Sequence, residues 1–284
     1  MESPSVVDAH VHFWDPTDLQ YPWLRSVPAL DRAHLPPAYA RAIGSAPVDR
    51  VVVVAGNCRP EQALREVEFV EHVATGAEPR VAGIVAFADL TRPETFDAAL
   101  DALSSAPLVK GIRQNIQGEP SGFALQAAFV QGVQTVGRRG FTFDLCVTHD
   151  QLPEVTELVR RCPEVRFVLD HGGKPPIRDR RLEPWASNLA RLATHSNVYC
   201  KLSGLLTEAD VRHWRDDDLI PYATHVCECF GAERVMYGSD WPVLTLAGDY
   251  QDWYGLTKRF TAGWSAAEQQ RFYRDNAVHV YGLS

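Results

Sequence analysis

The chain has 284 residues, with 28 basic and 36 acidic side chains, a formal net charge of -8 and no basic run, a balance that argues against a nucleic-acid partner. With 45% apolar residues it can bury a substantial core, yet no apolar run approaches a membrane span, and the opening Met1–Ser5 lacks the basic and apolar regions of a signal peptide. Six cysteines (Cys58, Cys146, Cys162, Cys200, Cys227 and Cys229) form no CxxC pair, which reads as free thiols in a reducing, cytoplasmic setting.

Along the chain, short apolar runs alternate with segments of helical period. The candidate strands are Val6–Phe13, Arg50–Ala55, Val81–Ala88, Val109–Ile116, Phe141–Val147, Val165–Asp170, Val198–Leu202 and Arg234–Tyr237. After the first strand comes Asp15–Pro47, rich in proline and aromatics. It is too long for an ordinary βα loop and is expected to hold short helices and cover the mouth of the fold. Pro60 suits the first turn of a helix with Leu64, Val67 and Val70 on one face. Phe96, Leu100 and Leu103 mark the next helix, and Leu152, Val155, Leu158 and Val159 another. Ser265 with Glu268 reads as a capping box opening the last one.

Eight strands in βα alternation predict a parallel sheet closed as a (β/α)8 TIM barrel, one α/β domain over 1–284. An open doubly wound sheet would want a glycine-rich turn after its first strand, where this chain has His12-Phe13-Trp14-Asp15-Pro16. Strict strand alternation puts Val7, Ala9 and Val11 on one face of the first strand and Asp8, His10 and His12 on the other. In the fifth strand Thr142, Asp144, Cys146 and Thr148 share a face. These polar sets are expected to point into the barrel, with those nearest each strand's C-terminal end at the active-site mouth.

Four residues carry the chemistry. His10 and His12, two apart on one strand face, suit two ligands on one metal or two donors to one oxyanion; the plain alternative is a pair of structural histidines. His171 ends the sixth strand ahead of two glycines. Asp240 follows the eighth strand in Gly238-Ser239-Asp240-Trp241-Pro242, where a turn or cap role is the alternative. Strand eight neighbours strand one in a barrel, so the four converge on one rim.

Around them, Arg113 at the end of strand four would hold a carboxylate or hydroxyl-rich ligand, or make a rim salt bridge, and Lys174 is a similar case. His149, just past strand five, stands near the mouth. Trp23, with Trp14 and Tyr21, would form an apolar wall over a ligand ring or simply pack the first loop. Lys201 lies inside strand seven, where a lysine needs a partner, and Asp144 is the natural one across the barrel. His34, His72, His195, His213, His225 and His279 read as surface or packing residues, and Cys227 and Cys229 lie on different helix faces.

The motifs Val7-Asp8-Ala9-His10-Val11-His12-Phe13-Trp14-Asp15-Pro16, Tyr21-Pro22-Trp23-Leu24 and Cys58-Arg59-Pro60-Glu61-Gln62-Ala63-Leu64 extend almost from the start of the chain. With Phe143-Asp144-Leu145-Cys146-Val147, Leu169-Asp170-His171-Gly172-Gly173-Lys174, Cys200-Lys201-Leu202-Ser203-Gly204 and Met236-Tyr237-Gly238-Ser239-Asp240, the sequence resembles the sugar-lactonase branch of the amidohydrolase superfamily. That branch includes L-fuconolactonase-like and L-rhamnonolactonase-like enzymes. The resemblance implies hydrolysis of a sugar lactone, with His10, His12 and His171 around the carbonyl oxygen, Asp240 activating water, and Arg113 and His149 at the substrate. The chain departs from the branch at Gly172, where a bulky residue is expected, and at Gln114-Asn115, where His or Leu is expected.

Many members of the superfamily hold zinc or another divalent ion through the His-x-His pair and the last Asp, with a Lys or His added from strand four or five. Strand five here offers Asp144 and Cys146 instead. The expectation is at most one weakly held ion that activity does not strictly need, zinc first, with His10, His12, His171 and Asp240 as its candidate ligands. A metal-dependent decarboxylase on the same barrel is the rival reaction, and a non-catalytic binding barrel the rival class. The expected partner is a small-molecule sugar lactone, without nucleic acid or membrane, bound by a monomer or a homo-oligomer.

Overall fold

The computed structural model describes residues 5–284; the first four residues, on which most of the signal-peptide reading rests, lie outside the described residues. The strands are β1 (Val6–Val11), β2 (Val48–Val54), β3 (Val81–Ala86), β4 (Val109–Ile112), β5 (Thr142–Leu145), β6 (Phe167–Leu169), β7 (Val198–Leu202) and β8 (Val235–Tyr237). All pair in parallel, in the order β1 to β8. The last strand then returns to the first: Val11 and Trp241 form a parallel bridge, His12 N donates to Trp241 O at 2.7 Å, and Asp240 N donates to His10 O at 2.8 Å. The expected eight-stranded barrel is therefore present, and it closes at the rim.

The helices are α1 (Pro36–Ile43), α2 (Ala63–Thr75), α3 (Pro93–Ser104), α4 (Ala127–Arg138), α5 (Leu152–Arg161), α6 (Trp185–Ala193), α7 (Leu205–Glu208), α8 (Asp216–Phe230), α9 (Tyr250–Phe260), α10 (Ala266–Gln270) and α11 (Asn276–Tyr281). Periodicity located their buried faces well in α3 and α5, where every apolar residue named from the sequence is buried. In α2, Val67 and Val70 are buried but Leu64 is 47% exposed, because the buried face runs through Glu66, Val67, Val70 and Val73 and, at about 100° per residue, Leu64 falls well round from its middle. The capping box of Ser265 and Glu268 opens α10 as expected. The long first loop carries 3₁₀ turns at Pro22–Ser26 and Pro28–Leu30 followed by α1. No helix among the described residues is long and apolar enough to cross a membrane.

Two apolar layers hold the strands. The outer faces pack on the helices, with Val51, Val53, Phe143, Phe167 and Tyr237 in one large cluster. A smaller cluster joins Val7, Ala9, Val52, Val54, Val85, Val168 and Met236 from five strands, and α11 with Leu283 seals it from below. Side chains from strands that far apart meet only inside the barrel. This corrects the strict alternation read for β1. Val7 and Ala9 face inward, while Asp8 faces outward, where it accepts hydrogen bonds from Tyr39 of α1 at 2.9 Å and Tyr250 of α9 at 3.1 Å. The reason is a bulge: Asp8 pairs with Val51 and Val11 with Val53, so β1 spends one extra residue between them and changes phase before the histidines.

Tight helix packing supplies a test. Gly132 in α4 lies so close to Leu90 that an added Cβ would stand 2.7 Å from its Cβ and 2.9 Å from its carbonyl oxygen. Alanine gains about 1 kcal/mol of helix propensity over glycine, while overpacking against backbone costs about 1–3 kcal/mol. Gly132→Ala is expected to lower unfolding stability by about 1 kcal/mol in urea titration, the net of those terms. A stabilised variant would show that α4 moves freely off the loop after β3.

Candidate active site

The barrel rim opens into a cavity of about 270 Å³. His12, His171 and Asp240 lie in its wall; Arg113, Lys174 and Trp23 also line it. Each arrives from the end of a strand or, for Trp23, from the long first loop. His149 is not among the lining residues; it sits half-buried in a 3₁₀ turn at His149–Gln151, because β5 ends at Leu145 and the chain has already turned away.

Asp240 is buried beside three imidazoles. Its Oδ1 lies 3.5 Å from His12 Nε2, 3.6 Å from His10 Nε2 and 4.0 Å from His171 Nε2. Burial pushes the Asp240 carboxyl up, but His171, His12 and His10 pull it the other way, and it settles well below the usual carboxylate range. Burial lowers His171 to about 4, against the opposing pull of Asp240 and Asp170, so this imidazole is neutral at pH 7. Burial likewise holds His10 below its ordinary value.

The tautomers follow from the partners. His12 Nδ1 lies 2.7 Å from Val54 O, which can only accept, so Nδ1 carries the proton and Nε2 offers a lone pair to the cavity. His10 Nε2 stands 3.2 Å from that lone pair. His10 Nδ1 lies 3.2 Å from both Asp170 Oδ1 and Lys201 Nζ. His171 Nδ1 pairs with Ser203 Oγ at 2.9 Å, which leaves Nε2 facing Asp240.

These donors fit a divalent ion. His10, His12 and Asp240 can each offer one ligand atom, all within 4.8 Å of one another, and two imidazoles with a carboxylate are a set that zinc accepts. Of the four candidate ligands named from the sequence, His171 stands apart from that trio; it groups instead with His10 and Asp170.

Strain marks the same place. Among the described residues, five that are not glycine have positive φ: Asn57, His171, Lys174, Arg180 and Asp240. All but Arg180 line the cavity. Such backbone costs energy and persists where surrounding contacts enforce it, commonly at functional sites.

Beneath the cavity lies a buried charge cluster. Lys201 Nζ donates to Asp144 Oδ2 at 2.6 Å, the pairing expected from the sequence, and also lies 3.0 Å from Asp170 Oδ1. Asp144 Oδ2 accepts from Tyr281 at 2.7 Å as well. Arg113 reaches Asp170 Oδ2 at 3.1 Å and donates to Ala55 O at 2.5 Å, so it is both a cavity wall and a structural ion pair. Burial pushes the Asp170 carboxyl up, but Lys201, His10 and Arg113 outweigh it and hold it ionised. Lys174 donates to Gln117 Oε1 at 2.5 Å, and Trp23 Nε1 to Gly56 O at 2.7 Å.

Sequence reasoning missed Asp170, Ser203, Asn57 and Gln117. Only Asp170 left a signal: it follows Val168 by two and therefore takes the inward face of strand six.

Fold and rim together define a parallel (β/α)8 barrel whose polar chemistry converges on one terminal carboxylate. Comparison with known proteins agrees. The amidohydrolase family profile matches residues 7–283. A protein of Burkholderia multivorans named L-fucono-1,5-lactonase is 32% identical over 298 residues, covering 98% of this chain and 96% of that one. The crystal structure of an amidohydrolase from Burkholderia multivorans with bound zinc superposes with a TM-score of 0.89 at 32% identity, covering 99% of this chain and all of that one. A 2,6-dihydroxybenzoate decarboxylase, at 14% identity and a TM-score of 0.65 over 99% of this chain and all of that one, shares the fold only. This chain belongs to the amidohydrolase family.

Breaking a buried ion pair by removing one partner costs about 3–5 kcal/mol. Lys201→Met is expected to lose that much in urea unfolding, because Asp144 and Asp170 are left facing each other. Adding Asp144→Asn should restore part of the loss. A change below about 1 kcal/mol, the range of exposed pairs, would mean that the cluster is not the strut described.

Proposed function

We propose that this chain is a lactonase, opening the ring ester of a sugar-acid lactone at the 270 Å³ cavity. The observation that carries the reading is Asp240, an ionised carboxylate set against three imidazoles at the barrel rim. The relative named L-fucono-1,5-lactonase supports the substrate class. The reading takes the whole chain as one barrel domain.

In the mechanism, Asp240 accepts a proton from the attacking water. Its low affinity for protons makes it a weak base, which an ester activated by ring closure tolerates better than an amide would. With Ser203 donating to His171 Nδ1, the proton on His171 Nε2 points to the carbonyl oxygen and steadies the negative charge that develops there. Asp240 then returns its proton to the ring oxygen as the C–O bond breaks. Arg113 and Lys174 draw polar groups of the substrate to the wall, and Trp23 offers a flat apolar face. A divalent ion held by His10, His12 and Asp240 would polarise the same carbonyl.

A pH-indicator assay on a panel of aldonolactones tests the reading directly. Asp240→Asn is expected to lower turnover at least about 100-fold without loss of fold, the scale of a lost general base; near-normal turnover would remove Asp240 from the mechanism. Release of carbon dioxide from a carboxylated aromatic would favour decarboxylation, and ligand binding without any turnover a binding barrel.

For the ion, two imidazoles and a carboxylate would leave the fourth position open, and with His171 outside the trio we expect weak holding. Elemental analysis after dialysis is expected to give less than one zinc per chain, rising to one on titration, and His12→Ala should lose that binding in calorimetry. Undiminished zinc binding by the variant would place the ion elsewhere.

A further inference from the structure

A second chamber, of about 580 Å³, adjoins the cavity and shares Trp23, Asn57 and Asn115 with it. Small-molecule sites generally span about 300–1,000 Å³, so the inner cavity alone is sized for a single ring, and the outer one doubles as room for something attached to it.

The lining of the outer chamber describes its occupant. Phe87 and Phe123 offer apolar faces, and Trp23, fixed by its bond to Gly56 O, stands between the two spaces. Flat aromatic surface of this kind suits the C–H face of a sugar ring. The charged residues on the wall are Arg59, Asp89 and Glu119, two acids against one base, so an anionic extension gains nothing there.

Asn115, on the shared wall, has its Oδ1 buried without a hydrogen-bond partner. A buried acceptor left unmet is costly, and it is met when a ligand hydroxyl donates to it.

We infer that the site accepts a lactone bearing a neutral hydroxylated extension, a glycosyl unit, with the lactone ring in the inner cavity, the extension in the outer chamber and Asn115 accepting a hydroxyl at the junction. The identity of the ring rests on the lactonase reading; the two-chamber occupancy does not.

Open-chain acids separate the two. Calorimetry should compare gluconate with cellobionate and lactobionate, which add one glycosyl unit to the same acid. The wild-type protein is expected to bind at least one of the two extended acids about tenfold tighter than gluconate, the difference made by one good additional set of contacts. Glu119→Trp, an exposed rim position, should fill the outer chamber and bring that ratio to about one. Asn115→Leu removes no internal hydrogen bond of its Oδ1 and should fold, while weakening the extended acid about tenfold. Equal affinity for all three acids, no binding of any, or an unchanged ratio in Glu119→Trp would overturn the inference. A retained ratio in a protein that hydrolyses no lactone would overturn the lactonase reading and leave the two-chamber site standing.

Discussion

The barrel closes through the segments that carry its rim histidines and Asp240, and much of the site follows from that seam. β8 is short, ending at Tyr237, so the ladder to β1 is completed by residues beyond it: Asp240 N bonds to His10 O and His12 N to Trp241 O. Three of the four closing groups thus belong to His10, His12 and Asp240, whose side chains meet one another at the rim. Asp8 clamps the seam from outside, accepting Ser239 N–H at 2.8 Å while Tyr39 and Tyr250 hold its other oxygen. Burial raises Asp8 to about 6, offset in part by those bonds. The bulge makes this possible, since a strand of strict alternation would turn Asp8 and His10 to the same side.

Under the seam, charges are buried in opposed pairs, and burial lowers His10 and His171. Lys201 and Arg113 face Asp144 and Asp170, all four buried. Buried ions cost several kcal/mol each unless paired and bonded, and here each has a partner of opposite sign. His10 touches this cluster through Nδ1 and Asp240 through Nε2, so it stands between the buried Asp170 carboxylate and the one at the cavity wall. Lys201 beside it opposes a positive charge on the ring, as does burial, so His10 offers a lone pair or a neutral N–H rather than a second cation.

The sequence made the barrel and the convergence of His10, His12, His171 and Asp240 legible because both rest on short-range pattern. Strand existence follows from apolar runs, and rim position from which residues end them. Strand ends were less legible. The runs continue to Phe13, Ala88, Ile116 and Val147, whereas the ladders stop at Val11, Ala86, Ile112 and Leu145. Buried rim segments stay apolar after they leave the sheet, and hydropathy does not register the loss of hydrogen bonds. The same blindness placed His149 at the mouth. Lys201 and Asp144 were paired correctly because a buried lysine demands a carboxylate; the second one, Asp170, needed knowledge of which strand ends lie across the interior.

The turn after β6 accounts for Gly172, where the resemblance leads to the expectation of a bulky residue. His171, Gly172, Gly173 and Lys174 have successive φ values of 56°, 59°, 71° and 49°, a full left-handed turn. Each L residue in that region costs about 1–2 kcal/mol, so four non-glycine residues in a row would be prohibitive. Glycine at the two central positions confines the cost to the ends. A side chain at 172 would also stand 3.1 Å from Val226 Cγ2, and the carbonyl of Gly172 is fixed by Trp185 Nε1 at 2.9 Å. The return is geometric: His171 and Lys174, three apart on a tight turn, both reach the same cavity wall. Gly172 is therefore no vacancy in the pocket. It is the residue that lets an imidazole and an ammonium line one cavity from a single strand end.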